Sequence, residues 1–446
     1  MAPLSEATST TPSEVPPGGT DSRGKPWYWV PSLYFAEGIP NVIVVTVSVI
    51  MFKKLGISNT KIALYTSWLY LPWVIKPFWS PLVELVRTKR WWIVSMQLLI
   101  GAGLAGVGLT LPSDNFLQYS LVFLWLLAFS SATHDIAADG FYMLGLSEHD
   151  QTWFVGIRST FYRAAMITGQ GLLVILAGNL EGPLGIASAW AMTFYIAAGF
   201  FLALAAYHGV SLPKPALDQP RRTTEGGDFL SESLETFAAF FRKKEIISIL
   251  AFLLLYRFAE AQLAKMASPF LLDKRSLGGL ELGTTEVGVV YGTVGIAMLT
   301  LGGILGGLAA AQKGLRFWLW GMAFAINLPN VVYVFLAYAQ PESLAAVNLA
   351  VVLEQFGYGF GFTAYMLFSL YISKGKHETA HYALCTGFMA LGMMLPGMAA
   401  GWIQERLGYQ HFFLWVMLCT IPSFVACWFI TVDASFGRRE DAEQAA

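Results

Sequence analysis

Ten ionisable side chains lie inside stretches that are otherwise apolar: the cations Lys76, Arg158, Arg163, Arg257 and Lys265, and the carboxylates Glu37, Asp135, Asp139, Glu260 and Glu354. A charge at the centre of a bilayer costs about 2.5–3.5 kcal/mol on insertion scales, so such residues are kept facing a cavity or a partner. The chemistry open to them is proton binding at the carboxylates and solute binding at the cations. Asp135 and Asp139 are four apart and share a helix face. The next apolar stretch runs back antiparallel and carries Arg158 and Arg163. Counted from the connection around Glu148 and Asp150, equal depth pairs Asp139 with Arg158 near the surface and Asp135 with Arg163 further in. The deeper pair is the better candidate site. Arg257 and Glu260 are three apart with Lys265 beyond them, and Glu354 enters its own stretch from the opposite side. Lys76, near one end of its stretch, can snorkel to the surface. His134, beside Asp135, is read as a packing hydrogen-bond donor in preference to a proton relay.

Nothing in the chain signals catalysis by other means. It has no Gly-rich phosphate loop, no metal-ligand spacing of histidines and no nucleophile elbow, so no cofactor, metal or ATP drive is expected. Cys385, Cys419 and Cys427 all fall within the last two apolar stretches and read as buried thiols. A formal net charge of −1 gives no reason to expect nucleic acid.

The elements that must hold these charges are long and apolar. Of 446 residues, 55% are apolar and 13% charged, and the mean hydropathy of +0.55 places the chain among membrane proteins. Apolar runs of about 20 residues, each able to span about 30 Å of hydrocarbon as a helix, recur throughout. The expected spans are 28–50, 61–83, 91–112, 116–144, 152–178, 185–211, 246–271, 285–309, 316–338, 343–372, 378–403 and 410–432. The chain is therefore expected to be an all-α membrane protein of about twelve transmembrane helices.

Lysine and arginine orient it. Of the 28 in the chain, Lys53, Lys54, Lys61, Lys274, Arg275 and Arg406 fall in connections on one side, five lie within spans, and the other 17 lie on the side that holds both termini. Positive loops face the cytoplasm, so the N and C termini are expected there.

The widest connection, 212–245, divides the chain in half. It begins with Pro213, Pro215 and Pro220, and ends in an amphipathic stretch, Ser233 to Glu245, expected to lie on the cytoplasmic leaflet through Leu234, Phe237, Phe240 and Phe241. The divisions expected are a disordered tail (1–26), a six-helix bundle (27–211), the linker (212–245), a second six-helix bundle (246–433) and a tail (434–446). Phe35-Ala36-Glu37 in the first span recurs as Phe258-Ala259-Glu260 in the seventh, a trace of duplication. Gly38 and Pro40 after Glu37, and Pro269 after Lys265, are expected to interrupt those two helices at related places. The Gly302-xxx-Gly306, Gly303-xxx-Gly307 and Gly397-xxx-Gly401 spacings read as close helix contacts. Trp27, Trp29, Trp91, Trp92, Trp153, Trp318 and Trp402 read as interface anchors.

Two motifs carry a resemblance. Ser131-Ala132-Thr133-His134-Asp135-Ile136-Ala137-Ala138-Asp139 resembles the Ser-Ala-Ser-Gln-Asp-Ile-x-x-Asp segment of AmpG-like muropeptide permeases, and Lys76-Pro77-Phe78-Trp79-Ser80-Pro81 resembles that family's Lys-x-x-Trp-Ser-Pro. Gly38-Ile39-Pro40 is similar to its first-helix Gly-x-Pro. The resemblance implies the major facilitator fold with two six-helix halves, in which the first, fourth, seventh and tenth helices line a central cavity. Glu37, Asp135, Arg257, Glu260 and Glu354 fall on those helices. It also implies a proton-driven importer in which Asp135 is the essential carboxylate and Asp139 its companion. The expected protein is a monomeric symporter of the bacterial inner membrane. Its partners are protons, the lipid bilayer and a polar, cell-wall-derived saccharide or muropeptide. Arg163 and Arg257 are the preferred substrate anchors. A siderophore or acyl-coenzyme A carrier is the alternative, and a membrane enzyme on lipid-linked sugars or a non-transporting sensor are the readings of other classes.

Overall fold

The computed structural model describes residues 26–220, 235–375, 377–434 and 436–437. These are helical rods joined by short turns: α1 (Pro26–Lys54), α2 (59–86), α3 (Lys89–Thr110), α4 (Phe116–Gly145), α5 (148–184), α6 (Ile186–Ser211), α7 (Ile246–Leu272), α8 (Thr284–Lys313), α9 (Leu315–Ala339), α10 (Leu344–Ser373) and α11 (Glu378–Phe429). Ten of them are long and apolar enough to cross a bilayer. The expected count of about twelve turns on the other features. α2 is interrupted at Leu69 and Tyr70, where the ring of Pro72 opens the next helical segment and cannot share space with a helical carbonyl four residues back. α11, at 52 residues, would be about 78 Å long if straight, against about 30 Å of hydrocarbon. It folds back at Gly408, whose φ of 72° and ψ of 164° suit a residue without Cβ.

Local sequence sets the starts of the rods. Ser58, Thr88 and Ser147 each cap a helix by accepting a backbone N–H three residues on. Ser147 begins α5 four residues earlier than expected, which places every later residue of that helix deeper.

The rods leave two opposite faces. One carries the turns at 87–88, 146–147 and 314, the segment 212–220 that follows α6 and the short helix 235–241 that precedes α7; it is called the linker face below. On the opposite face the halves before and after the linker lock together: Lys53 pairs with Asp273 at 2.6 Å, Thr60 bonds Glu405, and Thr284 donates to Glu181 at 2.6 Å. Along the seam, a Cβ on Gly401 would strike the Asn59 carbonyl and one on Gly292 the Gln170 carbonyl, so backbones touch where α11 meets α2 and α8 meets α5.

Several expectations change. Gly38 and Pro40 do not break α1: the helix runs through them and only widens into a π-turn at Ile43–Val47. Gly38 instead permits α5 to approach, because a Cβ there would lie 2.8 Å from that of Ala165. Nor does Pro269 interrupt α7; the break is at Arg257, with φ −107° and ψ 20°. Gly302 and Gly306 pack on α10, but Gly307 faces open space. Trp29 is wholly buried against Phe141, whereas Trp27, Trp91, Trp153 and Trp402 are exposed. The linker helix at 235–241 turns apolar side chains toward protein: Phe237 meets Phe78 of α2 at 5.3 Å and Phe240 is buried against His381 and Phe388 of α11. Ser233 and Leu234 lie outside the described residues, as do the expected tails apart from Pro26, Ala434, Phe436 and Gly437. The three cysteines are buried and free.

Candidate functional site

Two groups of charged residues sit inside the bundle. The first gathers residues of α1, α2, α4 and α5. Asp139 accepts from Arg158 at 3.0 Å and from the Tyr34 hydroxyl at 3.2 Å. The Arg158 guanidinium also lies over the rings of Tyr34 and Tyr142, at 4.5 and 5.1 Å. Depth and helix face bring these partners together, as the spacing implied.

Asp135 does not pair with Arg163. Its carboxylate accepts from Lys76 of α2, so Lys76 does not snorkel to a surface. The cause is geometric. Both Lys76 and Asp135 lie ten residues, about 15 Å, from the linker-face ends of their helices, Val86 and Gly145. Arg163 lies some 15 residues into α5, counted from Glu148, and overshoots by about 7 Å. Arg158 and Arg163 are also five apart, which turns them about 140° from one another. One faces α4; the other reaches across the seam to the Thr300 hydroxyl of α8, at 3.4 Å.

Glu37 of α1 completes the first group. It is buried, faces both aspartates, and leaves one oxygen, Oε2, without a partner. Three carboxyl groups therefore share two cations, a balance that a single proton would make even.

The second group lies after the linker. Arg257 donates to the Tyr358 hydroxyl and lies 4.7 Å from the Phe362 ring. Glu260 is buried with neither oxygen bonded, and Glu354 accepts from the Gln355 amide at 3.0 and 3.3 Å. Lys265 donates to Thr66 of α2 at 3.0 Å and lies over the Tyr70 ring. The repeated Phe-Ala-Glu thus places a buried, under-bonded glutamate in each half of the chain. The aromatic partners Tyr142, Tyr358 and Phe362 were not singled out beforehand, because an aromatic residue in an apolar run carries no signal of its own.

Several further buried polar side chains bond from helix to helix. Tyr256, Tyr365 and Gln170 donate to the carbonyls of Gly361, Leu253 and Tyr291, and Asn327 to Ser423. His134 is buried and bonded to Gln97. No cluster suited to a metal occurs among the described residues.

Long membrane-crossing helices that enclose two groups of charged side chains are the arrangement of a membrane carrier. The Major Facilitator Superfamily profile matches residues 32–383, and the chain belongs to that family. Within it the chain is AmpG-like. It is 25% identical over 88% of its length to AmpG 4 of Rickettsia conorii, covering 93% of that protein. It is 24% identical over the same share to the anhydromuropeptide permease of Escherichia coli K12, covering 77% of it. In fold it is similar to a bacterial homologue of the lysosomal transporter Spinster, with a TM-score of 0.65 at 16% identity over 92% of this chain and 97% of the other. It is likewise similar to the nucleoside transporter NupG, with a TM-score of 0.63 at 15% identity over 91% and 98%. The chain is a multi-pass membrane transporter, not an enzyme.

Proposed function

We propose that this transporter is a proton-coupled importer of a polar, cell-wall-derived saccharide or muropeptide. It acts as a monomer in the bacterial inner membrane with both termini cytoplasmic. Two six-helix bundles, 27–211 and 246–433, rock about the seam between α1, α2 and α5 on one side and α7, α8 and α11 on the other, which brings the count to twelve spans. The observation that carries the reading is the first charge group: Glu37, Asp135 and Asp139 against Lys76 and Arg158. Protonation of the Asp135 carboxyl releases Lys76, and protonation near Asp139 releases Arg158. Each changes which cation is free to meet solute, so proton and substrate occupancy bias the same pair of states. Arg163 and Arg257, neither held by a carboxylate, are the substrate anchors. The relatives named as muropeptide permeases supply the substrate class.

The test is uptake of anhydro-muropeptide into proteoliposomes with and without an inward proton gradient. Gradient-driven accumulation that disappears in Asp135→Asn is expected. Uptake indifferent to the gradient and unchanged in that variant would overturn the reading. A thermal-shift panel of anhydro-muropeptides, amino sugars, siderophores and acyl-coenzyme A identifies the cargo, since only a binder stabilises the folded state.

A further inference from the structure

Arg257 and Glu260 stand three residues apart on α7, a spacing at which opposite charges ordinarily meet across a helical turn. Here they do not. The backbone at Arg257 leaves helical geometry and the guanidinium is drawn to α10, where it bonds the Tyr358 hydroxyl and lies over the rings of Tyr358 and Phe362 at 5.3 and 4.7 Å. Its Nε meets no acceptor, and both oxygens of Glu260 meet no donor. Arg257 is 7% exposed and Glu260 2%, so both are shielded from bulk solvent. Buried polar groups in native proteins are nearly always bonded, and breaking up a buried ion pair costs several kcal/mol. An aromatic clamp that holds two complementary charges apart is therefore a costly feature unless something else completes both.

The neighbouring charges are already committed. Glu354 of α10 takes the Gln355 amide, and Lys265 is bonded to Thr66. What remains unmet is one guanidinium N–H and one carboxylate, next to each other. A simple anion would satisfy Arg257 but lie against Glu260 and Glu354, and a simple cation would satisfy Glu260 but meet the clamped guanidinium. A group bearing both charges satisfies the two together.

We propose that Arg257 and Glu260 form a subsite for a zwitterionic amino-acid or dipeptide moiety, its carboxylate on Arg257 and its ammonium on Glu260. The assignment rests on the carrier reading and adds to it the charge pattern of one end of the cargo. The flat rings of Tyr358 and Phe362 wall the subsite.

The test uses the full-length protein in nanodiscs and three probes at millimolar concentration: alanyl-glycine, its N-acetyl derivative and its C-terminal amide. Only the free dipeptide should raise the melting temperature of the wild type, by a shift corresponding to at least tenfold tighter binding than either blocked form. In Glu260→Gln the acetylated form should equal the free one; in Arg257→Gln the amide should. Where Arg257→Gln unfolds, Arg257→Lys and Tyr358→Phe provide the second reading, each expected to weaken binding of the free dipeptide while leaving the response to the C-terminal amide unchanged. Absence of any response to the free dipeptide, or equal responses to all three in the wild type, overturns the proposal. Gradient-driven muropeptide uptake by the same protein reconstituted into proteoliposomes separates the outcomes: uptake without a dipeptide response removes this subsite alone, and loss of both removes the carrier reading as well.

Discussion

Lys53 and Asp273, 220 positions apart in the chain, meet at 2.6 Å on the face opposite the linker and join the two halves of the molecule. They do not act alone. Lys53 also donates to the Asn59 side chain at 2.8 Å, and the Asn59 amide reaches Gln404 and Tyr409 at 2.6 and 2.9 Å. The Tyr409 hydroxyl donates to Asp273 at 2.6 Å. Five polar side chains from α1, α2, α11 and the end of α7 satisfy one another where the halves must separate if this face is to open.

Asp273→Asn should therefore lower the melting temperature, by the equivalent of about 3 kcal/mol, because it leaves Lys53 charged and nearly enclosed. The exchanged pair Lys53→Asp with Asp273→Lys should recover most of the loss. Thermal unfolding of the wild type, both single variants and the exchange supplies the cycle. An exchange no better than the singles would show that the pair is incidental to the closure of this face.

Asp135 and Lys76 invite a separate cycle. Removing Asp135 alone leaves a half-buried ammonium ion without its partner, so Asp135→Asn should lose both gradient-driven uptake and some stability. Lys76→Met with Asp135→Asn should regain the stability but not the coupling. Melting temperature reads the first and proton-gradient uptake the second; substrate counterflow, which needs no net proton movement, should survive in the double variant. Recovery of gradient-driven uptake there would assign coupling elsewhere.

Much of this was legible beforehand, and the failures have physical causes. Hydrophobic run lengths placed most ends of the long apolar helices to within a few residues, since the bilayer imposes a length on a crossing helix. Asp139 and Arg158 were matched by depth alone. Asp135 was misassigned because the cap at Ser147, with its N–H acceptor and Asp150 three residues on, starts α5 at Glu148 and sinks Arg163 below its expected partner. Lys76 was set aside for lying near a span end, although α2 runs on to Val86. The break at Arg257 had no signal, because nothing in Tyr256-Arg257-Phe258 disfavours a helix; it coincides with the bond from Arg257 to Tyr358 of α10.

Helix contact can be tested by contrast. Gly302 and Gly307 lie on one helix, but a Cβ on Gly302 would collide with the Phe356 carbonyl and one on Gly307 meets nothing within 4 Å. Gly302→Ala should destabilise by about 1–3 kcal/mol through overpacking between α8 and α10, and Gly307→Ala should be neutral or slightly stabilising. Melting temperatures of the two variants decide it; equal effects would remove the close contact as the reason for the small residue.

His134 sits beside Asp135 in sequence yet belongs to a different system. Gln97 of α3 donates to His134 Nε2 at 3.0 Å and accepts from His208 Nδ1 of α6 at 3.0 Å. His208 Nε2 then faces the Ser32 hydroxyl of α1 at 2.9 Å. Four helices are tied by one chain, in which both ring nitrogens of His208 and Nε2 of His134 are bonded. An amide in the middle of the chain passes no proton along without turning over, so the chain is suited to holding helices and not to conducting. His134→Gln, which can still accept from Gln97 through its own carbonyl, should keep both the melting temperature and the pH dependence of uptake. Gln97→Leu, which strands two imidazoles, should cost about 1–3 kcal/mol for each group left unpaired while the coupling persists in whatever protein folds. Loss of gradient dependence in His134→Gln at an unchanged melting temperature would bring the imidazole into the proton path beside Asp135.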